Sequence, residues 1–573
     1  MNDDLHTLRH SAAHVLAQAV KRLWPGTKLA IGPPIDEGFY YDVAPERPLT
    51  DEDLPKIEAE MEKIIRSDFP FEKSSMPKAE AEAFFKKRGE PFKVEIVREI
   101  PDPKVWIYTD GEFVDLCEGP HMERTGQLRA VKLTSLAGAY WRGNEKNPQL
   151  TRIYGTAFFD KKELEEFLKR REEAKKRDHR KLGVSLKLFS IFEEAGAGFV
   201  FYQSRGATLR QVIEDYSRQQ HAQRGYLPVV TPHLIRSNVW VQSGHYEHYK
   251  PNMYIFKTED DQEWGVKPMN CPGHILIYQS ALRSYREFPL RLFELGTVYR
   301  NEKSGVLHGL LRVRGFTQDD AHIFCRLSQL ESELGGILKF TQEVFRDFGF
   351  SEYRVEMSTR PPEFLGNEEQ WNRAEEILTR VLKGSQIPYE VSAGSGAFYG
   401  PKIDVHVKDS LSRYWQCATA QLDFVLPQRF NLKYVETDGT ETAPVMIHRA
   451  IFGSLERFIG TLIEHYGGAF PAWLSPVQAV VIPISEDQAE YGRQILVELA
   501  RAGLRAELDD RKETLQARIR DAELAKTPYM VILGKREAEA KKVAVRARGT
   551  GDLGAMPAGD FIARLQKEIE EKS

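Results

Sequence analysis

Residues 160–181 are built mostly of Lys, Arg and Glu, with only a thin stripe of Leu164, Phe167 and Leu168. Charge alternating at this density does not enter a core, so the segment reads as a solvated helix joining two separate bodies. The rest of the chain must fold on one side of it or the other. At 573 residues the chain is in any case too long for one core, and about 150 residues per domain suggests roughly three to four domains.

Before the charged segment, residues 5–21 place Leu8, Ala12, Val15, Leu16 and Ala19 at helical spacing, and Trp24, Pro25 and Gly26 end the pattern. Short apolar runs at Phe39, Tyr40, Tyr41 and at Phe113, Val114, Leu116 flank an acidic helical stretch over residues 54–65. The expectation is a compact α+β domain ending near Phe159. From Leu182 onward, long helices mix with strands bounded by Gly and Pro. After Pro471 and Pro476 the rhythm changes again: an apolar strand from Ala479, a helix to Ala502, and further strands at residues 504–508 and 529–534 predict an α/β domain.

Formal net charge is only -4, from 80 Lys+Arg against 84 Asp+Glu, so any nucleic-acid surface must be a local basic patch. Four cysteines and no signal-peptide pattern at the N-terminus argue for a reducing compartment without disulfides. No apolar run approaches the roughly 20 residues of a membrane-spanning helix.

Three strings carry the chemistry. Cys271 lies in Met269-Asn270-Cys271-Pro272-Gly273-His274, His322 in Asp319-Asp320-Ala321-His322, and His448 in Ile447-His448-Arg449-Ala450. One thiol and two imidazoles can hold zinc by three protein ligands with a fourth position open to substrate. Taken singly, each residue reads as a buried thiol or a satisfied core histidine; the set of three carries the metal reading. Between them, Arg300 and Glu302 followed by Arg312 and Phe316 form an Arg-x-Glu…Phe arrangement that suits ATP, because a guanidinium fork binds two phosphate oxygens at once. Near the N-terminus, His10 and His14 lie one helical turn apart on one face, and Asp115, Cys117 and His121 follow in a single string. Ligand type and number alone would make His10, His14, Cys117 and His121 a four-ligand zinc site.

These strings, their order and their spacing resemble the threonyl-tRNA synthetases, a class II aminoacyl-tRNA synthetase family, over nearly the whole chain. The resemblance implies an α+β multidomain chain: an α+β editing domain over 1–159, a linker helix over 160–181, a class II catalytic core of antiparallel sheet and helices over 182–474, and an α/β anticodon-binding domain over 475–573. It implies ATP-dependent activation of L-threonine and transfer to the threonine tRNA, in the cytoplasm. Arg300 is expected on the α-phosphate, Glu302 at the adenine amino group, Arg312 at the γ-phosphate, Phe316 under the base and Gln416 at the adenosine. Arg457, in Gly453-Ser454-Leu455-Glu456-Arg457-Phe458, looks like the phosphate-binding Arg of the third class motif. Mg2+ is expected to accompany ATP. Arg300, Arg457, Glu302, Gln318 and Lys402 make the expected catalytic set. One Zn2+ is expected on Cys271, His322 and His448, beside a threonine pocket of Met269, Asp320, Tyr399, Gln421 and Ala450, with Asp320 accepting the hydroxyl proton.

The resemblance also explains why a metal matters. A merely hydrophobic pocket separates a hydroxyl from a methyl by only about a hundredfold, so rejecting valine calls for a group that binds the hydroxyl. Serine keeps that hydroxyl and lacks a methyl worth only about 1–3 kcal/mol, so a second, hydrolytic site is expected. In this branch of the family His10, His14, Asp115, Cys117 and His121 are expected to form it as a metal-free pocket that positions water at the ester. Lys512, Arg520, Glu537 and Arg546 are expected to read the anticodon, with Lys512 standing where Asn is usual. Basic clustering there includes Arg511, Arg518, Lys526, Arg536, Lys541, Lys542 and Arg548. Residues 221–232 resemble the first class motif, which builds a homodimer interface. An extra β-rich domain of about 60 residues, near the lower limit for independent folding, precedes the editing domain in many relatives and is expected to be lacking here, naturally or by trimming.

Two rival readings make different demands. A synthetase-like regulator that binds uncharged tRNA would be expected to have lost a phosphate-binding Arg or a zinc ligand. A hydrolase of mischarged tRNA would need only the N-terminal domain.

Overall fold

The structure, a computed structural model, describes residues 3–572, and its packing divides the chain into two compact units, Met1–Glu172 and Glu173–Ser573. The division falls inside the charged helix Lys161–Arg177. That helix does not run through the whole charged segment. Asp178 stops it by capping a second helix, His179–Ser185, accepting the Arg180 N–H at 2.8 Å.

In the first unit the helix Asp3–Leu23 buries Leu8, Ala12, Val15, Leu16 and Ala19. Its alanines let it lie close on the antiparallel strands Gly38–Ala44 and Gln149–Phe158, whose sheet continues to Ala130–Tyr140. The acidic stretch forms the helix Leu54–Ser67, with proline in its first turn and Asp68 left-handed at its end. A second antiparallel sheet joins Glu72–Pro77, Lys104–Asp110 and Phe113–Leu116. Its last strand leads directly into the string that carries Cys117 and His121.

The second unit is organised by an eight-stranded sheet. Its centre, Leu290–Tyr299, Gly315–Cys325, Val445–Ala450 and Tyr414–Asp423, is antiparallel throughout; only the edge strands Leu227–Pro228 and Tyr389–Ser392 pair in parallel. Register positions the chemistry: His322 lies directly across from His448, and His448 directly across from Gln421. The helix Leu455–Tyr466, capped by Ser454 through the Arg457 N–H, packs against this sheet and carries Arg457 in its first turn.

The C-terminal part of the same unit has Ala506–Leu508, Ala479–Pro483 and Tyr529–Leu533 in parallel, as strand-helix-strand alternation demands. An antiparallel hairpin, Lys542–Ala547 and Gly551–Pro557, extends that sheet. The sequence pattern did not mark it, because Gly551 and Gly554 interrupt the second strand. Val481, Val531, Val543, Val545, Phe561 and Leu565 form its core. Among the described residues no helix is long and apolar enough to cross a membrane.

Candidate functional site

Every residue expected to act in the catalytic half lines one cleft of about 620 Å³ in the second unit: Met269, Cys271, Arg300, Glu302, Arg312, Phe316, Gln318, Asp320, His322, Tyr399, Lys402, Gln416, Gln421, His448, Ala450 and Arg457.

At one end Cys271, His322 and His448 bring their donor atoms within 4.8 Å of one another. His322 Nε2 and His448 Nδ1 are 3.0 Å apart; two nitrogens on one tetrahedral zinc at about 2.0–2.1 Å would be separated by about 3.3 Å. The opposite edges of both rings are held. His448 Nε2–H donates to Asp423 Oδ2 at 2.8 Å, which leaves Nδ1 bare for a metal. Asp423 is itself fixed by the Val425 and Leu426 N–H groups on its other oxygen. His322 Nδ1 shares a hydrogen bond of 2.8 Å with His274 Nδ1. Burial, then the neighbouring His274, pushes the His322 pKa well down, so it is neutral and able to ligate; burial pushes the Cys271 thiol up, so its thiolate calls for a cation beside it. The donor set therefore fits zinc. Asp320 lies beside it, 3.9 Å from His322 Nε2 and held by Asn270 Nδ2 at 3.0 Å, and the Tyr399 ring stands 5.1 Å from the His448 ring.

Asp423 was not anticipated. It lies two residues beyond Gln421 on one strand, hence on the same face, and that spacing was the available signal.

At the other end the cleft is cationic. The Arg300 guanidinium rests 5.0 Å over the Phe316 ring and donates from Nε to the Pro268 carbonyl. Arg457 donates from Nε to Leu311 O at 3.3 Å and from Nη1 to Gln416 O at 3.4 Å. Arg312 and Glu302, expected at opposite ends of ATP, pair with each other at 3.0 Å. A hub missed in the sequence is Asp404, which is buried and accepts from Lys402 at 2.6 Å, Gln416 at 2.7 Å and Thr419 at 2.7 Å. It fixes two of the anticipated side chains at once.

In the first unit, Cys117 Sγ lies 3.3 Å from His10 Nε2 and 3.2 Å from His121 Nε2, with the His14 and His121 ring centroids 4.1 Å apart. All four donors fall within 4.8 Å, so a metal reading remains open by geometry. Asp115 connects this cluster to two unanticipated residues: its Oδ2 accepts from Tyr41 OH at 2.6 Å and its Oδ1 pairs with buried Lys93 at 2.5 Å, while Lys93 reaches Tyr41 OH at 3.0 Å. Tyr41 was visible as part of an apolar run, whereas nothing in the helix Pro91–Glu99 marks Lys93 as buried.

Burial lowers the pKa of His10, His14 and His121, and the mutual repulsion of the rings lowers those of His14 and His121 further; burial pushes the Cys117 thiol up to about 11. At neutral pH the cluster is three neutral imidazoles and a thiol. Because these histidines titrate lower in the folded state than in the unfolded one, their stabilising contribution is present above about pH 6.5 and is lost as pH falls below it. The first unit is expected to melt at progressively lower temperature from pH 6.5 to pH 5, and a His14→Gln variant to show a shallower decline by calorimetry.

In the C-terminal part, Lys512, Arg520 and Arg546 are exposed, Arg546 pairing with Glu523 at 3.1 Å. Glu537 is half-buried in the first turn of a helix and accepts the Gly534 N–H at 3.0 Å. The basic cluster needs correction. Arg518 is buried on the Asp509 and Ile484 carbonyls, Lys526 binds the Gly467 carbonyl, and Arg548 binds those of Lys526, Ala469 and Phe470. These three cations satisfy backbone oxygens and are not free for RNA, a distinction that charge along a sequence does not make.

Residues 254–466 match the family described as tRNA synthetase class II core domain (G, H, P, S and T), residues 478–568 an anticodon binding domain, and residues 105–154 the threonyl and alanyl tRNA synthetase second additional domain. The chain is 53% identical over 569 residues to a threonine--tRNA ligase of Oleidesulfovibrio alaskensis, covering 99% of this chain and 88% of that one. It is 54% identical over 565 residues to a threonine--tRNA ligase of Carboxydothermus hydrogenoformans, covering 98% and 89%. A solved RNA binding domain of threonyl-tRNA synthetase from Cryptosporidium parvum superposes with a TM-score of 0.66 at 42% identity, covering 68% of this chain and 98% of that one.

Proposed function

The chain belongs to the threonine--tRNA ligase family, and from that premise we propose that its cleft joins threonine to ATP, that it passes the threonyl group to the threonine tRNA, and that the first unit hydrolyses seryl-tRNA. The observation that carries the reading is one cleft with a thiol and two oriented imidazoles at one end and three arginines at the other. A small polar amino acid fits the first end and a triphosphate the second.

In the activation step the threonine carboxylate attacks the α-phosphorus and pyrophosphate leaves, accompanied by Mg2+. Arg300 and Arg457 offset the charge that grows on the α-phosphate oxygens, Arg312 holds the departing end, and Glu302 accepts from the adenine amino group. Phe316 supports the base, and Gln416 and Lys402, fixed by Asp404, bind the adenosine side and the reacting carboxylate. Cys271, His322 and His448 would hold zinc, which would supply a Lewis acid for the amino and β-hydroxyl groups of threonine; valine has no hydroxyl to offer it. Asp320 accepts the hydroxyl proton, and Gln318, Met269, Tyr399, Gln421 and Ala450 enclose the side chain.

Seryl-tRNA made by mistake goes to the cluster of His10, His14, Cys117 and His121. Neutral imidazoles there orient water toward the ester, and the Lys93–Asp115–Tyr41 network holds the amino-acid end. Lys512, Arg520, Glu537 and Arg546 read the anticodon. The proposed domain limits are residues 159, 181 and 474. Exposed Leu227, Val230 and Leu234 beside a two-residue edge strand support a homodimer, and the reaction belongs in the cytoplasm.

The test is aminoacylation of the threonine tRNA together with deacylation of preformed seryl-tRNA. Wild-type protein is expected to do both. A His10→Ala, His14→Ala double variant is expected to keep threonylation and lose seryl clearance by about 10²-fold or more, as for loss of general acid–base groups. Unchanged clearance would remove the cluster from the account.

A further inference from the structure

His179 lies outside the cleft and fully buried, yet its ring nitrogens bond Leu310, the neighbour of cleft-lining Leu311 and Arg312, and Glu464, on the helix that carries cleft-lining Arg457. Its Nε2 is 3.0 Å from the Leu310 backbone nitrogen. A backbone N–H can only donate, so Nε2 accepts, and the ring proton is on Nδ1. That proton is donated to Glu464 Oε1 at 2.6 Å, and the His179 backbone N–H reaches the same oxygen at 3.1 Å. Glu464 is completed by Arg413 on its other oxygen.

Leu310 belongs to a tight turn in which the Leu311 and Arg312 N–H groups return to the His308 carbonyl. Leu311 O then accepts from Arg457 Nε at 3.3 Å. Arg457 and Glu464 stand two turns apart on one helix, Leu455–Tyr466. The contacts thus close a ring: helix, Glu464, His179, turn, Arg457, helix. Glycine makes the approach possible at two points. A Cβ at Gly309, which has φ +50, would sit 2.1 Å from His179 Nε2, and one at Gly460 would sit 3.2 Å from Leu310 Cβ.

We propose that His179 is a positioning residue for nucleotide binding: it holds the 308–312 turn against the arginine-bearing helix, so that Arg312 and Arg457 keep the separation needed to grip one triphosphate. The inference rests on the ATP roles given above to those two arginines. Neither nitrogen of His179 is free for substrate, so it acts only through the turn and the helix.

The test uses the full chain with His179→Ala, His179→Gln and His179→Asn, measured by threonine-dependent pyrophosphate exchange with KM for ATP and for threonine determined separately. The alanine variant leaves the Leu310 N–H buried and unpaired and is expected to raise KM for ATP about 10-fold or more, with KM for threonine within about 2-fold. Glutamine, whose carbonyl can reach the place of Nε2, is expected to recover most of that loss; asparagine, which replaces only the Nδ1 donor, is expected to recover little. Should alanine prevent folding, the difference between glutamine and asparagine still decides. If the variants lose active protein and melting temperature together while KM for ATP stays at the wild-type value, His179 is structural only and the proposal is overturned. An Arg457→Ala control separates the premises: full exchange in that variant defeats the ATP assignment itself, whereas its loss beside unaffected His179 variants defeats only this inference.

Discussion

Replacing Arg457 by alanine is expected to lower threonine-dependent pyrophosphate exchange by about 10²–10³-fold, the usual loss when one preorganised donor to a developing charge is removed. The guanidinium sits mostly buried in the cleft wall, where its Nε and one Nη are committed to the Leu311 and Gln416 carbonyls. Those two bonds hold one side of the planar fork to the wall of the cleft that Arg300 also lines. A lysine there lacks the second edge that would hold it to the wall, so Arg457→Lys is expected to recover little of the rate. Seryl-tRNA clearance, proposed for the other unit, is expected to stay at the wild-type value in both variants. A fall in both activities together would point to misfolding and withdraw the assignment.

The second large effect is expected at the metal end. His448→Ala removes one of the three proposed ligands and is expected to leave the purified protein without stoichiometric zinc and without measurable threonine activation. Asp423→Asn is the more discriminating variant. Asparagine can keep the bonds to the Val425 and Leu426 N–H groups, but its amide can donate to His448 Nε2 and so favour the tautomer that carries a proton on Nδ1, the nitrogen meant for the metal. Zinc affinity is expected to fall about 10–100-fold, as for loss of a hydrogen-bonding partner to a metal ligand. Metal titration against a competing chelator, with the melting temperature as a control, measures it.

These two sites were legible in the sequence for different reasons and to different depths. Cys271, His322 and His448 could be chosen because each stands inside a distinctive string, but no string states that His322 and His448 face each other; that follows from pairing two strands more than a hundred residues apart in one register. Residues that hold the site were mostly invisible. Asp404 and Asp423 look like any polar residue on a strand, and only the sheet reveals that their carboxylates turn inward to grip neighbours. Lys93 sits in a helix where solvent would be its ordinary fate, and its burial depends on Asp115 and Tyr41 arriving from other elements. The converse error affected Arg518, Lys526 and Arg548, whose positive charge suggested RNA although each binds backbone carbonyls. Helices and strands with strong period were read within a few residues, whereas the break at Asp178 escaped because capping competes locally with a charge pattern that continues through it.

The central claim is that one cleft selects threonine through a metal and activates it with ATP. Exchange of labelled pyrophosphate into ATP, compared for threonine, serine and valine before and after removal of the metal, tests it most directly. The account predicts strong exchange with threonine, weaker exchange with serine, none with valine, and loss of exchange on chelation that zinc restores. Equal exchange with threonine and valine, or exchange indifferent to chelation in protein shown to be metal-free, would contradict it.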